Sequence, residues 1–315
     1  MSYYHLASAT LPSSAMLSTA QSTWLLIKRV SSSWLDDYVP SMGAALAYYT
    51  MFSLAPLLLI VVSVAGLVFG QDAARGEIEA ELRALMGETG AKAVQDLLAS
   101  VRKPAEGVAA TVLGVVLLLI GATSVFGELQ DSLDRIWHVP TRKRSSGLIQ
   151  LLRTRLLSFG MILAIGFLLI VSLVVSALLA TVGRWWSPAF GDWYAVAEVT
   201  DAVGGFALVA AMFALIYKVM PSVRVQWKDV WIGAVFTAIL FMLGKSMIGL
   251  YIGSSGVVSG FGAAGSLVVV MVWVYYSAQI FLIGAEFTWV YANAFGSRKN
   301  LNEIAPERSA SELRT

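Results

Sequence analysis

GAAGSLVVVMVWVYYSAQIFLIGAEFTWVYA, residues 262–292, contains 31 residues and one formal charge, Glu286. A helix needs roughly 20 apolar residues to cross about 30 Å of hydrocarbon, so this stretch reads as a transmembrane helix. With about 3.6 residues per turn, Gln279 and Glu286, seven apart in sequence, are expected to share a face with Tyr275 and Tyr276 one turn earlier. Ala278, Gly284 and Ala285 fall elsewhere on the surface, where small side chains let a neighbouring helix approach. A carboxylate in lipid is costly, so the Glu286 stripe should point into a bundle.

Across 315 residues the hydrophobic fraction is 57% and the charged fraction 13%, against about 25% charged residues in soluble domains. That balance belongs to an integral membrane protein. The net charge of +2 argues against a general nucleic-acid binder, whose basic surface must neutralise many phosphates. Cysteine is absent, which removes disulfides and thiolate metal sites. His5 and His138 are the only histidines, too few for a histidine-rich catalytic metal centre. Gly244-Lys245-Ser246 lacks the glycine five residues earlier that a phosphate loop requires, Ile239 standing there, and no HExxH motif occurs. The chain is therefore expected not to be an enzyme, and no cofactor or metal is implied.

The expected fold class is all-α: a polytopic membrane protein with six transmembrane helices near 41–70, 107–127, 156–182, 201–219, 230–252 and 262–292. Residues 1–23 read as a flexible tail, and Trp24 to Val39 as a helix lying at the membrane surface, because aromatics and aliphatics alternate there with Lys28, Arg29, Asp36 and Asp37. Pro56 interrupts the first span, where it removes a backbone hydrogen bond; either a kink or a broken helix is expected. Tyr48 and Tyr49 precede it. A broken helix would line a substrate path with freed backbone groups. Residues 71–106 read as an outer helical hairpin with Gly87 and Gly90 at its turn, serving either as a cap on the span ends or as a lid. The fourth span is the shortest, with Ala202 to Tyr217 free of charge. Asp229 reads as the N-cap of the fifth, and residues 293–315 as a disordered tail.

If six spans are present, alternate loops collect fifteen basic residues on the side of the termini and six on the other. The positive-inside rule then places both termini in the cytoplasm and the hairpin outside. Well inside the spans, Lys245 and Glu286 are the only formal charges, at depths too different for a mutual pair. Lys245 either snorkels to the outer surface or draws an anion into a cavity. Glu286 either pairs with Arg135, Arg153, Arg155 or Lys218 at the inner face, or serves as a proton or ion relay. After the second span an amphipathic helix carries an inner-face charged motif of Glu128, Asp131, Asp134 and Arg135 and is expected to end near Val139.

GAALAYYTMFSLAPLLLI in the first span, SVFGELQDSLDRIWHVP after the second and FGAAGSLVVVMVWVYYSAQIFLIGAEFTWVYA in the sixth resemble the YihY/BrkB family of bacterial inner-membrane proteins, over about Trp34 to Asn293. The resemblance implies a six-helix membrane fold in the bacterial inner membrane and a role in virulence or serum resistance. It also implies movement of lipids or small solutes. Tyr48, Pro56, Asp131, Trp137, Tyr276 and Glu286 stand at its motif positions. A ribonuclease label attached to that family finds no support here, since metal-assisted phosphodiester hydrolysis needs a histidine–carboxylate cluster and the chain has only two histidines. The functional expectation is a transporter or flippase-like protein for a lipid, an amphiphile or a small solute. Its path would run past Tyr48, Tyr49, Pro56, Lys245, Tyr275, Tyr276, Gln279 and Glu286. The rival is a non-transporting scaffold for envelope proteins. Expected partners are membrane lipids and envelope proteins, with no nucleic acid; the sequence sets no oligomeric state.

Overall fold

A computed structural model describes residues 19–101, 124–139, 193–254, 261 and 264–299. All regular structure among the described residues is helical. In chain order these helices are α1 (Thr19–Asp36), α2 (Val39–Phe69), α3 (Gln71–Val101), α4 (residues 124–136), α5 (Trp193–Val219), α6 (Trp227–Ser254) and α7 (Gly265–Ala294). The spans expected at 107–127 and 156–182 lie outside the described residues, apart from 124–127.

Three described helices are long and apolar enough to cross a membrane: Ala202–Val219 within α5, Trp227–Ile252 within α6, and Gly265–Ala294. They match the fourth, fifth and sixth spans read from sequence. The fourth is less marginal than its 16 uncharged residues suggested, because α5 starts at Trp193 and carries the chain well before Asp201.

α7 is the central helix and packs against α1, α2, α3 and α6. Its C-terminal half buries Phe281, Leu282, Ala285 and Ala292 against Val39, Met42 and Leu46 of α2, Leu133 and Ile136 of α4, Tyr217 of α5, and Val230 and Ala234 of α6. At the other end of α6 and α7, Ile248, Ile252, Val269 and Val270 bury Met86 and Val94 of α3. In lipid, apolar side chains gain little by leaving the hydrocarbon, so packing rests on close backbone approach. Gly284 supplies such a contact, since a Cβ there would overlap Thr237 Oγ1 and lie 2.5 Å from the Tyr217 hydroxyl. The opposite face of α6 presents Trp231, Val235, Ile239, Leu243, Met247 and Leu250 outward, an apolar stripe suited to acyl chains.

Four expectations change in detail. α2 runs through Pro56 without interruption, so the first span is not broken into two helices there. α1 begins at Thr19, which brings 19–23 of the expected flexible tail into a helix. Helix α6 starts at Trp227, so Asp229 lies inside its first turn rather than at its N-cap. Its carboxylate instead accepts hydrogen bonds from the Ser297 backbone N–H at 3.2 Å and the Ser297 hydroxyl at 2.6 Å. Those bonds hold 295–299, part of the stretch that reads from sequence as a disordered tail. In α3, Gly87 has φ 75° and ψ 175°, a non-helical link between two helical segments where the hairpin turn was expected.

Candidate functional site

Two helix ends converge on the C-terminal half of α7, and each stops in a conformation that ordinary residues avoid. α4 ends with the Val139 N–H bonded to the Asp134 carbonyl and the His138 N–H to the Arg135 carbonyl, both at 2.9 Å. This is the Schellman arrangement, which calls for a left-handed residue usually supplied by glycine. Here it is His138, with φ 52°. Tyr38, with φ 59°, turns the chain between α1 and α2. Among the described residues these are the two non-glycine residues with positive φ. Such strain persists where the surroundings hold it, and it clusters at functional sites.

The strained ends hold His138 and Asp37 beside α7. His138 Nδ1 lies 2.9 Å from the Ile136 carbonyl oxygen, which can only accept, so Nδ1 carries a hydrogen and, in the neutral ring, Nε2 is the nitrogen with the lone pair. Nε2 faces Asp37 Oδ1 at 3.9 Å. The imidazole stacks on Trp289 of α7, with centroids 4.8 Å apart and planes inclined by 28°. Three residues earlier on the same helix, Glu286 is fully buried. Neither of its carboxyl oxygens has a hydrogen-bond partner of ordinary geometry. Its carboxyl is instead within interaction range of Asp37, with Asp36 adding further negative charge.

The basic partner expected for Glu286 is not found among the described candidates. Arg135 is exposed, and Lys218 donates to the Val225 carbonyl and lies 5.3 Å from the Trp227 ring centroid. Arg153 and Arg155 lie outside the described residues. Burial lifts the Asp37 carboxyl above its ordinary value, and His138 partly offsets this. The graded exposure of the three side chains defines a line inward: His138 at 56%, Asp37 at 15% and Glu286 at zero.

The other candidates separate. Tyr275 and Gln279 lie against Gly43 of α2, whereas Tyr276 and Ile280 lie against Gly244 of α6; the stripe expected on one face is split between two neighbours. Gln279 is buried, donates to the Val39 carbonyl at 3.4 Å and leaves Oε1 without a partner. Tyr48 is exposed and stacks edge-on with Tyr49 and Phe52. Lys245 is half-buried along α6. Pro56 is placed within α2, with its side-chain surroundings undescribed.

On α4 the charged motif also divides. Asp131 and Arg135 face outward, while Asp134 is buried and accepts 2.7 Å hydrogen bonds from both the backbone N–H and the hydroxyl of Ser222. Glu128 is lifted from its ordinary value by burial and by the neighbouring Asp131. Sequence reasoning missed the site roles of Asp37 and His138. A signal for both exists: the chain's two Val-Pro dipeptides, at 39–40 and 139–140, each follow a left-handed residue. A residue before proline is pushed out of the helical region, which marks a turn.

Known proteins place this architecture in context. The family profile described as virulence factor BrkB matches residues 30–308. The chain is similar to a UPF0761 membrane protein of Pseudomonas aeruginosa, with 27% identity over 80% of this chain and 59% of the relative. It is likewise similar to one of Pseudoalteromonas translucida, with 28% identity over 81% of each chain. A third, from Alteromonas mediterranea, is 26% identical over 88% of this chain and 90% of the relative. The chain thus spans about three fifths of the length of the Pseudomonas relative. No solved structure matches.

Proposed function

This chain belongs to the virulence factor BrkB family and is an integral membrane protein; from that premise we propose that it moves a lipid, an amphiphile or a small solute across the bacterial inner membrane without catalysing a reaction. The observation that supports transport is Glu286. An acid fully buried on the central helix, with no hydrogen-bond partner of ordinary geometry for either oxygen, costs several kcal/mol in a solid apolar core, and such groups in membrane proteins mark ion and substrate pathways. Gln279, two turns earlier on α7 and also left with an unpartnered oxygen, extends this polar interior toward the middle of the bundle. The excess of basic residues on the loops flanking the termini favours both termini in the cytoplasm, with the acid near the inner face.

The test is transfer of a fluorescent phospholipid, and of a trapped small solute, in vesicles containing the full chain. Wild-type protein is expected to accelerate transfer, and Glu286→Gln to slow it roughly tenfold, the size that a coupling free energy of about 1.4 kcal/mol produces. An unchanged rate in a normally expressed Glu286→Gln would remove the residue on which the proposal rests. No transfer by the wild type would favour the scaffold reading, in which α3, with its exposed Arg83–Glu79 and Arg83–Glu88 pairs, docks an envelope protein.

A further inference from the structure

We propose that His138, Asp37 and Glu286 form a proton path into the bundle, in which the imidazole collects the proton from water and the two carboxyls share it inside. This deepens the transport reading by naming a coupling ion, but the proton site itself does not depend on what is carried.

Three features of the geometry lead to it. First, the order of exposure is the order a path requires: an imidazole open to water, a carboxyl mostly shielded, and a carboxyl with no exposure at all. Second, the ring is fixed for this task. Its Nδ1 hydrogen is committed to the Ile136 carbonyl and its plane rests on Trp289, so Nε2, the nitrogen that gains and loses a proton, is aimed at Asp37. Third, Glu286 faces another acid and has no hydrogen-bond donor to compensate it. Two neighbouring carboxyls in a low-dielectric site cannot both ionise without a large cost, and one proton between them relieves it. The left-handed backbone at His138 adds to this, because glycine would fit that position with less strain.

The charged groups acting on the pair from the surrounding elements are Asp36 on α1 and Arg135 on α4, together with His138. Asp36 acts on both carboxyls; at Asp37, Arg135 and a charged His138 favour the ionised form and Asp36 disfavours it. The step balances as a simple proton transfer. Once the pair has released its shared proton inward, a hydronium ion protonates Nε2 and leaves as water; the imidazolium gives that proton to the Asp37 carboxylate and returns to the neutral tautomer held by Ile136. Asp37 then passes the proton to the Glu286 carboxylate. At 3.9 Å the first transfer needs a small ring displacement or one bridging water, since a direct hydrogen bond spans about 3 Å.

The test is infrared difference spectroscopy of the full chain in lipid nanodiscs, following the protonated-carboxyl band between about pH 5 and 9. The expected result is a titrating band that disappears in Glu286→Gln and shifts in Asp37→Asn. In His138→Asn, whose side chain tolerates the left-handed backbone, the band is retained while its hydrogen–deuterium exchange slows at least severalfold. If Glu286→Gln does not fold, Glu286→Asp keeps the acid and should move the band. A band unaffected by substitution at both carboxyls, or no titrating band in the wild type, overturns the proton site, and unchanged exchange in His138→Asn overturns the path. A band that behaves as expected in a protein that transfers nothing in vesicles sustains the site and sinks only the transport reading.

Discussion

Gly284 is a residue at which α5, α6 and α7 meet, and the chemistry around it shows how this bundle closes. Its missing side chain makes room for Thr237 Oγ1 and the Tyr217 hydroxyl. The Tyr217 hydroxyl lies 3.0 Å from Thr237 Oγ1 and donates to the Phe281 carbonyl at 2.6 Å. Gly284→Ala is expected to lower stability by about 1–3 kcal/mol, as overpacking does, read as a fall in the thermal midpoint of the purified protein. Adding Thr237→Ala should recover part of that loss, because residues in contact do not act additively. An unchanged midpoint in Gly284→Ala would mean the helices are not this close. At this scale the sequence revealed the inward acid and the small residues beside it, since one charge in an apolar run has few places to go. It did not reveal the companion acid. Opposite charge is the ordinary remedy for a buried carboxylate, so Asp37, in a stretch that reads as a solvated surface helix, carried no signal of facing Glu286.

Helix ends behave differently from helix middles. The first turn of α6 and the last residues of the described chain are joined by Asp229, whose carboxylate holds Ser297, while Arg298 lies 5.0 Å over the Trp137 ring at the end of α4. Removing the acceptor in Asp229→Ala should release this segment at a cost of about 1.5 kcal/mol, roughly a tenfold rise in local opening. Trypsin cleavage after Arg298 and Lys299, timed by mass spectrometry, reads that opening; an equal cleavage rate in the variant would show the bonds to be dispensable. The apolar runs that became α5, α6 and α7 were legible because length against hydrocarbon thickness is a strong constraint. The caps were not. Asp229 satisfies the N-cap composition rule yet serves a segment 68 residues further on, and Pro56 lies inside an uninterrupted α2, as prolines in membrane helices can when neighbours make up the missing bond.

At the scale of the whole molecule, α7 connects two apolar clusters, one at each end, with the polar chemistry gathered at its C-terminal half. α3 is packed at the far end, against Ile248, Ile252, Val269 and Val270, and so takes no part in the acid site. Among the described residues that separation puts the Asp37–Glu286 pair and both strained non-glycine residues, Tyr38 and His138, at the same end, the arrangement from which both the transport and proton readings follow. The side-chain stripe on α7 was legible as polar but not as divided between α2 and α6, since a helical wheel gives direction without naming the neighbour in that direction. The most direct measurement is a cryo-electron microscopy map of the full chain in lipid nanodiscs, resolved well enough to show ordered water. It should show water or ligand density against Glu286 and Asp37, enclosed by α1, α4 and α7 and cut off from the lipid. Acyl-chain density touching the Glu286 carboxyl, with solid protein behind it, would contradict the account.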